Sequence, residues 1–298
     1  MHFAERLKRL LALAALGAFA IALLAVGSGG AGAVPGADAA TRQATAHASQ
    51  PYLYLKTRGT YRGTAVYGGR SWSFFQRELV EQWVAADGSG RQREASDVPQ
   101  FVSPADRQAW REAGKPQFLG HGFDSSVSDE FFPAGGFANV LRAGQLLAQM
   151  PAEPEALAQW LQDRVEEPGH GGYGNGFPVS TKTIELVTEL LSDPLATPAQ
   201  RSTLIEAEAR VPGVEQLGAA HDETGRAGIA IGARSANSGA DTVYSLIFDP
   251  ATSEALASEE RLVAPPAGDS GLVSSTAYLT EGETPSRLAR PQLGGHRR

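Results

Sequence analysis

Two short segments hold the residue types of acyl-transfer chemistry. Ala219-Ala220-His221 offers an imidazole, and Gly268-Asp269-Ser270-Gly271 offers a hydroxyl. With His221 as base, Ser270 as nucleophile and a buried acid to orient the ring, the pair would make an exported hydrolase. The spacing argues against it. Only 49 positions separate the two residues, Leu272 follows where a second glycine would be needed, and His221 adjoins the turn-forming run Asp222-Glu223-Thr224-Gly225.

The Gly-rich run at 169–177, GHGGYGNGF, invites a phosphate-loop reading. Such a loop needs a strand before it and a Lys-Ser or Lys-Thr where the next helix starts. Glu166, Glu167 and Pro168 come first, and Thr181-Lys182-Thr183 lies several residues on, so a helix–helix loop is expected. For metals, His121, His170 and His221 are the histidines of the central body. None has a second His three or four residues away, and the chain has no cysteine, so neither a zinc site nor any other cofactor site is expected. Aromatic residues gather early: Tyr52, Tyr54, Tyr61, Tyr67, Trp72, Phe74, Phe75 and Trp83. As strand residues they are sheet core. Alternatively Tyr52, Tyr54, Tyr67, Trp72 and Trp83 line an apolar cavity on the concave side of the sheet, for an acyl chain or a peptide.

The elements that must position these residues are legible in outline. Tyr52–Leu55 reads as a strand, residues 60–75 as further strands with a turn at Gly68-Gly69, and Leu79–Ala86 as another. Asp87-Gly88-Ser89-Gly90 is a tight turn, with Arg91–Glu94 returning from it. Ser103-Pro104 opens a helix that Gly114 closes. Residues 115–136, rich in Gly and Pro, read as a loop. Pro154 opens a helix with Leu157, Trp160, Leu161 and Val165 on one stripe; Ile184, Val187, Leu190 and Leu191 mark another, and Thr197-Pro198 starts a third. Val214–Gly218, Arg226–Ala233, Thr242–Asp249, Glu254–Val263 and Leu272–Leu279 are strand candidates. Residues 280–298 read as a disordered tail. Strands, then helices, then strands with hairpin turns predict an α+β fold. It is a curved antiparallel sheet with a central group of helices packed on one face, preceded by an N-terminal apolar helix.

Composition sets the compartment. Arg6, Lys8 and Arg9 precede a 17-residue apolar run, Leu10–Val26, followed by the small residues 27–33. That is the layout of an export signal, between the usual apolar length of a cleaved leader and the roughly 20 residues of a spanning helix. Cleavage after Ala33 or Ala39 and retention as an anchor through residues 10–26 both remain open; either way the body lies outside the membrane, secreted or tethered. Residues 34–50 read as a flexible spacer and 51–279 as the extracytoplasmic domain. The chain carries a formal −7, of which the first 33 residues contribute +2, leaving −9 on the rest. So acidic a body gains nothing from a phosphate backbone, and nucleic acid is excluded as a partner. Without cysteines there is no disulfide and no thiol chemistry.

Several segments together carry a resemblance: YLYLKT at 52–57, WVAADGSGR at 83–91, MPAEPEAL at 150–157, the run from Leu195 to Gly232, and SLIFDPATSEAL at 245–256. Over residues 50–264 they resemble an uncharacterised actinobacterial family of extracytoplasmic, membrane-anchored proteins known by a locus tag. Some of its members lie beside genes for sigma factors. Pro-Gly-Val, Asp-x-x-Gly-Arg and Phe-Asp-Pro are the most specific parts. The resemblance implies an envelope role and signal sensing and carries no catalytic residues; this chain departs in having no sizeable region before the apolar run. By element order the chain is also similar to lipoprotein-carrier and sigma-regulator domains, whose half-barrel sheets enclose a lipid-binding hollow. The Ser270 and His221 segments are similar to the boxes of chymotrypsin-like proteases, without room for the barrel between them. The resulting expectation is a non-enzymatic envelope protein that binds an apolar ligand, such as a lipid, or a protein partner.

Overall fold

A computed structural model describes residues 51–116, 125–167, 176–236, 241–265 and 269–291. The export segment, the spacer, His121, His170 and most of the Gly-rich run lie outside these residues.

Among the described residues, nine strands form one continuous antiparallel ladder in the order β5-β3-β2-β1-β10-β9-β8-β7-β6, and a short strand β4 adds to β2. They are β1 Tyr52–Tyr67, β2 Arg70–Val84, β3 Gly90–Ser96, β4 Gln100–Phe101, β5 Ser126–Phe132, β6 Val214–His221, β7 Ala227–Ser235, β8 Thr242–Phe248, β9 Ala255–Leu262 and β10 Leu272–Thr284. Among the described residues the helices are α1 Pro104–Glu112, α2 Ala138–Gln149, α3 Pro154–Glu166, α4 Val179–Leu191 and α5 Pro198–Glu208. The first and last strands pair at the centre, which joins the strand-rich ends of the chain into one sheet. The sheet stays open, with β5 and β6 at its edges.

The expected α+β class and antiparallel pairing hold, and several boundaries move. The early strand segments, Tyr52–Leu55, those within 60–75 and Leu79–Ala86, merge into two long strands paired without a break from Leu53↔Val84 to Tyr67↔Arg70. Gly68 and Gly69 both take positive φ, 58° and 76°, the geometry that a two-residue hairpin demands and that only glycine adopts freely. The stretch read as loop contains β5, whose seven residues pair with β3 in unbroken register. Helix α2 was not foreseen: it has no side-chain cap and no opening proline, and only its Ala143, Leu146 and Leu147 face signals it. Part of the stretch read as tail is built into the fold, and residues 292–298 lie outside the described residues. Strand β10 runs to Thr284, and residues 285–291 lie across the sheet as an ordered strap.

Helices α2–α5 pack on one face, here called inner. Leu157, Leu161 and Val165 of α3 meet Ile184, Val187, Leu190 and Leu191 of α4 over Ile231, Ala233, Leu246 and Phe248 of the sheet. Caps set the helix starts: Ser103 accepts from the Asp106 amide, and Thr197 with Gln200 forms a capping box. Helix α1 covers the far end of the β1–β2 hairpin, over Ala65, Trp72 and Phe74. On the opposite, outer face the β6–β7 turn folds back, so that Glu223 accepts from Thr60 (2.7 Å) and is bonded to Ser275 (3.2 Å).

Candidate functional site

Side chains alternate between the two faces of a strand, and that alternation divides the five aromatic candidates. Tyr54 and Trp83 are cross-strand partners on the outer face, their rings 5.2 Å apart, each 1 % exposed. Tyr52 shares that face at the start of β1. Trp72 sits on the inner face at the other end of the hairpin, beneath α1. Tyr67 is at the hairpin tip, 59 % exposed. The structure therefore joins Tyr54 with Trp83 and leaves Trp72 and Tyr67 apart from them, so the five do not line one cavity.

Over Trp83 lies the C-terminal strap. The Trp83 indole N–H donates to the Ala289 carbonyl. The Tyr54 hydroxyl donates to Glu81 at 2.6 Å, and Arg290 grips the same carboxylate with two bonds of 2.6 and 2.7 Å. Arg91 stacks on Trp83 at 4.9 Å and is held bidentately by Asp129. A hollow of about 390 Å³ remains, lined by Trp83, Arg91, Arg93, Leu288 and Arg290. Burial pushes the Glu81 carboxyl up, but its bonds from Arg290 and Tyr54 outweigh burial and hold it below its ordinary value.

His221 and Ser270 do not meet. His221 is exposed beside the β6–β7 turn and pairs with Ala227, near the end of the sheet that carries the β8–β9 turn. Ser270 lies beyond the other end of β9, where its hydroxyl accepts from the Leu272 amide and Asp269 pairs with Arg62 at 2.7 Å. No acyl-transfer centre is assembled from them.

The chemistry concentrates instead on the inner face, between α4 and the middle of the β1–β3 region. Register builds its floor in rows: Glu94–Val80–Thr57–Tyr278, then Glu78–Gly59–Thr276–Ser258, then Tyr61–Ser274–Glu260–Tyr244. The polar stripe of α4, Lys182, Glu185, Glu189 and Ser192, forms a wall; its apolar stripe is taken up by the core. Tyrosine hydroxyls lie near the polar side chains of these rows and of the wall, Tyr61 near Thr276, Tyr278 near Ser192 and Ser258, and Tyr244 near Ser258. Tyr61 lies so close over Gly59 that a Cβ there would stand 2.2 Å from its hydroxyl oxygen. Glycine at 59 is what lets the ring lie flat in the groove.

This groove is crowded with carboxylates. Burial pushes Glu78 up to about 7, with help from the Glu94 charge; burial and Glu130 raise Glu94. Burial pushes Glu185 to about 7, with Glu260 repelling it and Lys182 opposing the rise. Glu189 and Glu260 are raised mainly by burial as well. Among the described residues, the cations that act on these five acids are Lys182, on Glu185, and Arg142, on Glu189. At the α4 C-terminus, Asp193 is 4 % exposed and its second carboxylate oxygen has no hydrogen-bond partner.

None of these acids was foreseen. They are scattered over β2, β3, α4 and β9, and only the strand register places them on one face. The signal nearest to legible was the i, i+3, i+7 spacing of Lys182, Glu185 and Glu189 opposite an apolar stripe.

Among the described residues no group of three or more His, Cys, Asp or Glu side chains is arranged to hold a metal ion. Among them, too, no helix is long and apolar enough to cross a membrane. No family model matches the chain, and no curated protein sequence matches it. Among solved structures it is similar to MucB, in a crystal structure of MucB in complex with MucA(peri). That match has a TM-score of 0.25 and 11 % identity, and it covers 87 % of this chain and 58 % of that one. The chain thus spans somewhat over half the length of that structure. So distant a likeness leaves function to be argued from the groove itself.

Proposed function

We propose that this chain is a non-catalytic binding protein of the cell envelope, and that its inner groove takes a cationic segment of a partner protein. The observation that supports this is the half-buried carboxylate set of Glu78, Glu94, Glu185, Glu189 and Glu260, outnumbering its neighbouring cations. Partly desolvated carboxylates that repel one another are unstable as anions. A guanidinium or ammonium entering the groove relieves that repulsion and restores ionisation, which makes the groove selective for positive charge. The tyrosine hydroxyls and the Ser258 and Thr276 side chains supply further acceptors at fixed positions. This moves the ligand from the apolar class expected of the aromatic strands to a cationic one. Placement outside the membrane rests on the leader-like segment at residues 1–33 and on the family resemblance.

Calorimetric titration of the chain with an arginine-rich peptide tests the proposal. Glu78→Gln/Glu185→Gln is expected to weaken binding about tenfold, equivalent to about 1.4 kcal/mol. Glu155→Gln/Glu206→Gln, on exposed helix surface, removes at least as much negative charge and is expected to change affinity little. Equal losses in the two variants would mean that the peptide reads only net charge.

A further inference from the structure

The sheet sorts its charges by face, and the outer face has the opposite sign from the groove. The unbroken β1–β2 and β2–β3 registers place Lys56, Arg58 and Arg62 of β1, Arg77 of β2, and Arg91 and Arg93 of β3 all on that face. The strap adds Arg287 and Arg290 over it. Four carboxylates stand among them there: Glu81, Asp129, Asp269 against Arg62, and Glu223 on the Thr60 and Ser275 hydroxyls. Arg58 and Arg77 are exposed diagonal neighbours, since Arg58 faces Leu79 and Thr60 faces Arg77, and among the described residues neither makes an ion pair. Eight cations over three strands and a strap, in a chain of formal charge −7, is a strong local excess.

Apolar side chains accompany these cations and stand in water, Val66 on the same face and Tyr67, which alternates to the other face, at the hairpin tip. Val66 and Tyr67 at the β1–β2 tip are 58 % and 59 % exposed; Val127 and Phe131 of β5 and Leu288 of the strap are also exposed. A soluble anion would need a closed polar pocket, whereas these groups are spread over a face and one protruding hairpin tip. Guanidiniums mixed with exposed aliphatic and aromatic groups match the two layers of a bilayer interface, headgroup phosphate above and acyl boundary beneath. Tyrosine at such a tip suits that boundary, with its ring in the apolar layer and its hydroxyl in water.

We propose that the outer face of β1–β3 docks on the surface of a bilayer carrying anionic headgroups, with the Val66–Tyr67 tip dipping into the interface. The acidic groove, on the other face of the same sheet, then points away from a surface that would repel it. The docking does not depend on what occupies the groove, nor on how residues 10–26 associate with lipid.

The chain has no cysteine, so one introduced thiol reports one place. Full-length chain carrying Tyr67→Cys, labelled with an environment-sensitive fluorophore, is mixed with vesicles of phosphatidylcholine alone or of phosphatidylcholine with phosphatidylglycerol. A parallel sample carries the label at Thr252→Cys, in the β8–β9 turn. The label at 67 is expected to shift to the blue only on the mixed vesicles, and the label at 252 on neither. Raising salt from about 0.1 M to about 1 M shortens the screening length from about 10 Å to about 3 Å and should reverse the shift. Each basic side chain near an anionic surface is worth about fivefold in partition, so Arg58→Glu/Arg77→Glu should weaken the response about 25-fold or more. Val66→Ser, which leaves every charge in place, should reduce the blue shift while circular dichroism stays unchanged. A label at 67 that remains in water on the mixed vesicles, that shifts equally on both compositions, or that ignores the charge reversal would overturn the proposal.

Discussion

Glu208 of α5 is fully buried beneath α4, with the Thr183 hydroxyl oxygen 2.8 Å from its carboxyl. Burial pushes its carboxyl up to about 8, against the opposing bond from Thr183. A carboxyl whose folded pKa lies above its unfolded one stabilises the fold through its protonated form. That contribution is complete below the unfolded value near 4.5 and is lost as pH rises through about 8. Glu78 and Glu185 act in the same sense through about 7. Glu81 acts in the opposite sense, because its depressed pKa makes its contribution disappear as pH falls. The chain is therefore expected to resist denaturation better near pH 6 than near pH 9. Glu208→Gln keeps the shape and removes the ionisation. It should match the parent in urea unfolding near pH 5 and exceed it near pH 9, by about 1 kcal/mol or more. An unchanged pH slope in this variant would show that Glu208 ionises in the folded chain as it does in the unfolded one. None of this was legible in the residue itself: Glu206 and Glu208 look alike in sequence, and only packing makes one a surface charge and the other a buried acid.

At the scale of elements, what was legible follows local chemistry. Ser103-Pro104, Thr197-Pro198, Gly68-Gly69 and Asp87–Gly90 set their boundaries within a few bonds of themselves, and the structure has caps and turns there. Strand β5 and helix α2 were missed because their boundaries come from partners, β3 for one and the α4 core for the other. The strap was missed for the same reason. Its anchor is Arg290 on Glu81, 209 positions apart in the chain. Arg290→Ala leaves a buried carboxylate with the Tyr54 hydroxyl and Arg93 at 3.4 Å. Because the arginine is itself half-exposed, the expected cost is about 1–2 kcal/mol rather than that of a fully buried pair. Adding Glu81→Gln should recover part of that loss, since the stranded charge is gone; strictly additive losses in chemical denaturation would contradict the coupling.

At the scale of the molecule, one open sheet carries two unlike faces. The class and antiparallel pairing followed from the order of strands and helices, but the strand order did not, since β1 beside β10 is a contact between chain ends. Without that order the faces cannot be assigned. The early aromatics then look like one site although they are three, and the acids look like scattered surface charge although they form a groove. The central claim is that this groove binds positive charge through carboxyls held partly protonated. Calorimetry at pH 7 in two buffers of different ionisation enthalpy counts the protons exchanged when an arginine-rich peptide binds. A cation beside Glu78 and Glu185, which titrate near 7, must drive protons off them. The expected result is net proton release on binding, abolished in Glu78→Gln/Glu185→Gln. Equally tight binding with no proton exchange would place the peptide on ordinary surface carboxylates and contradict the account.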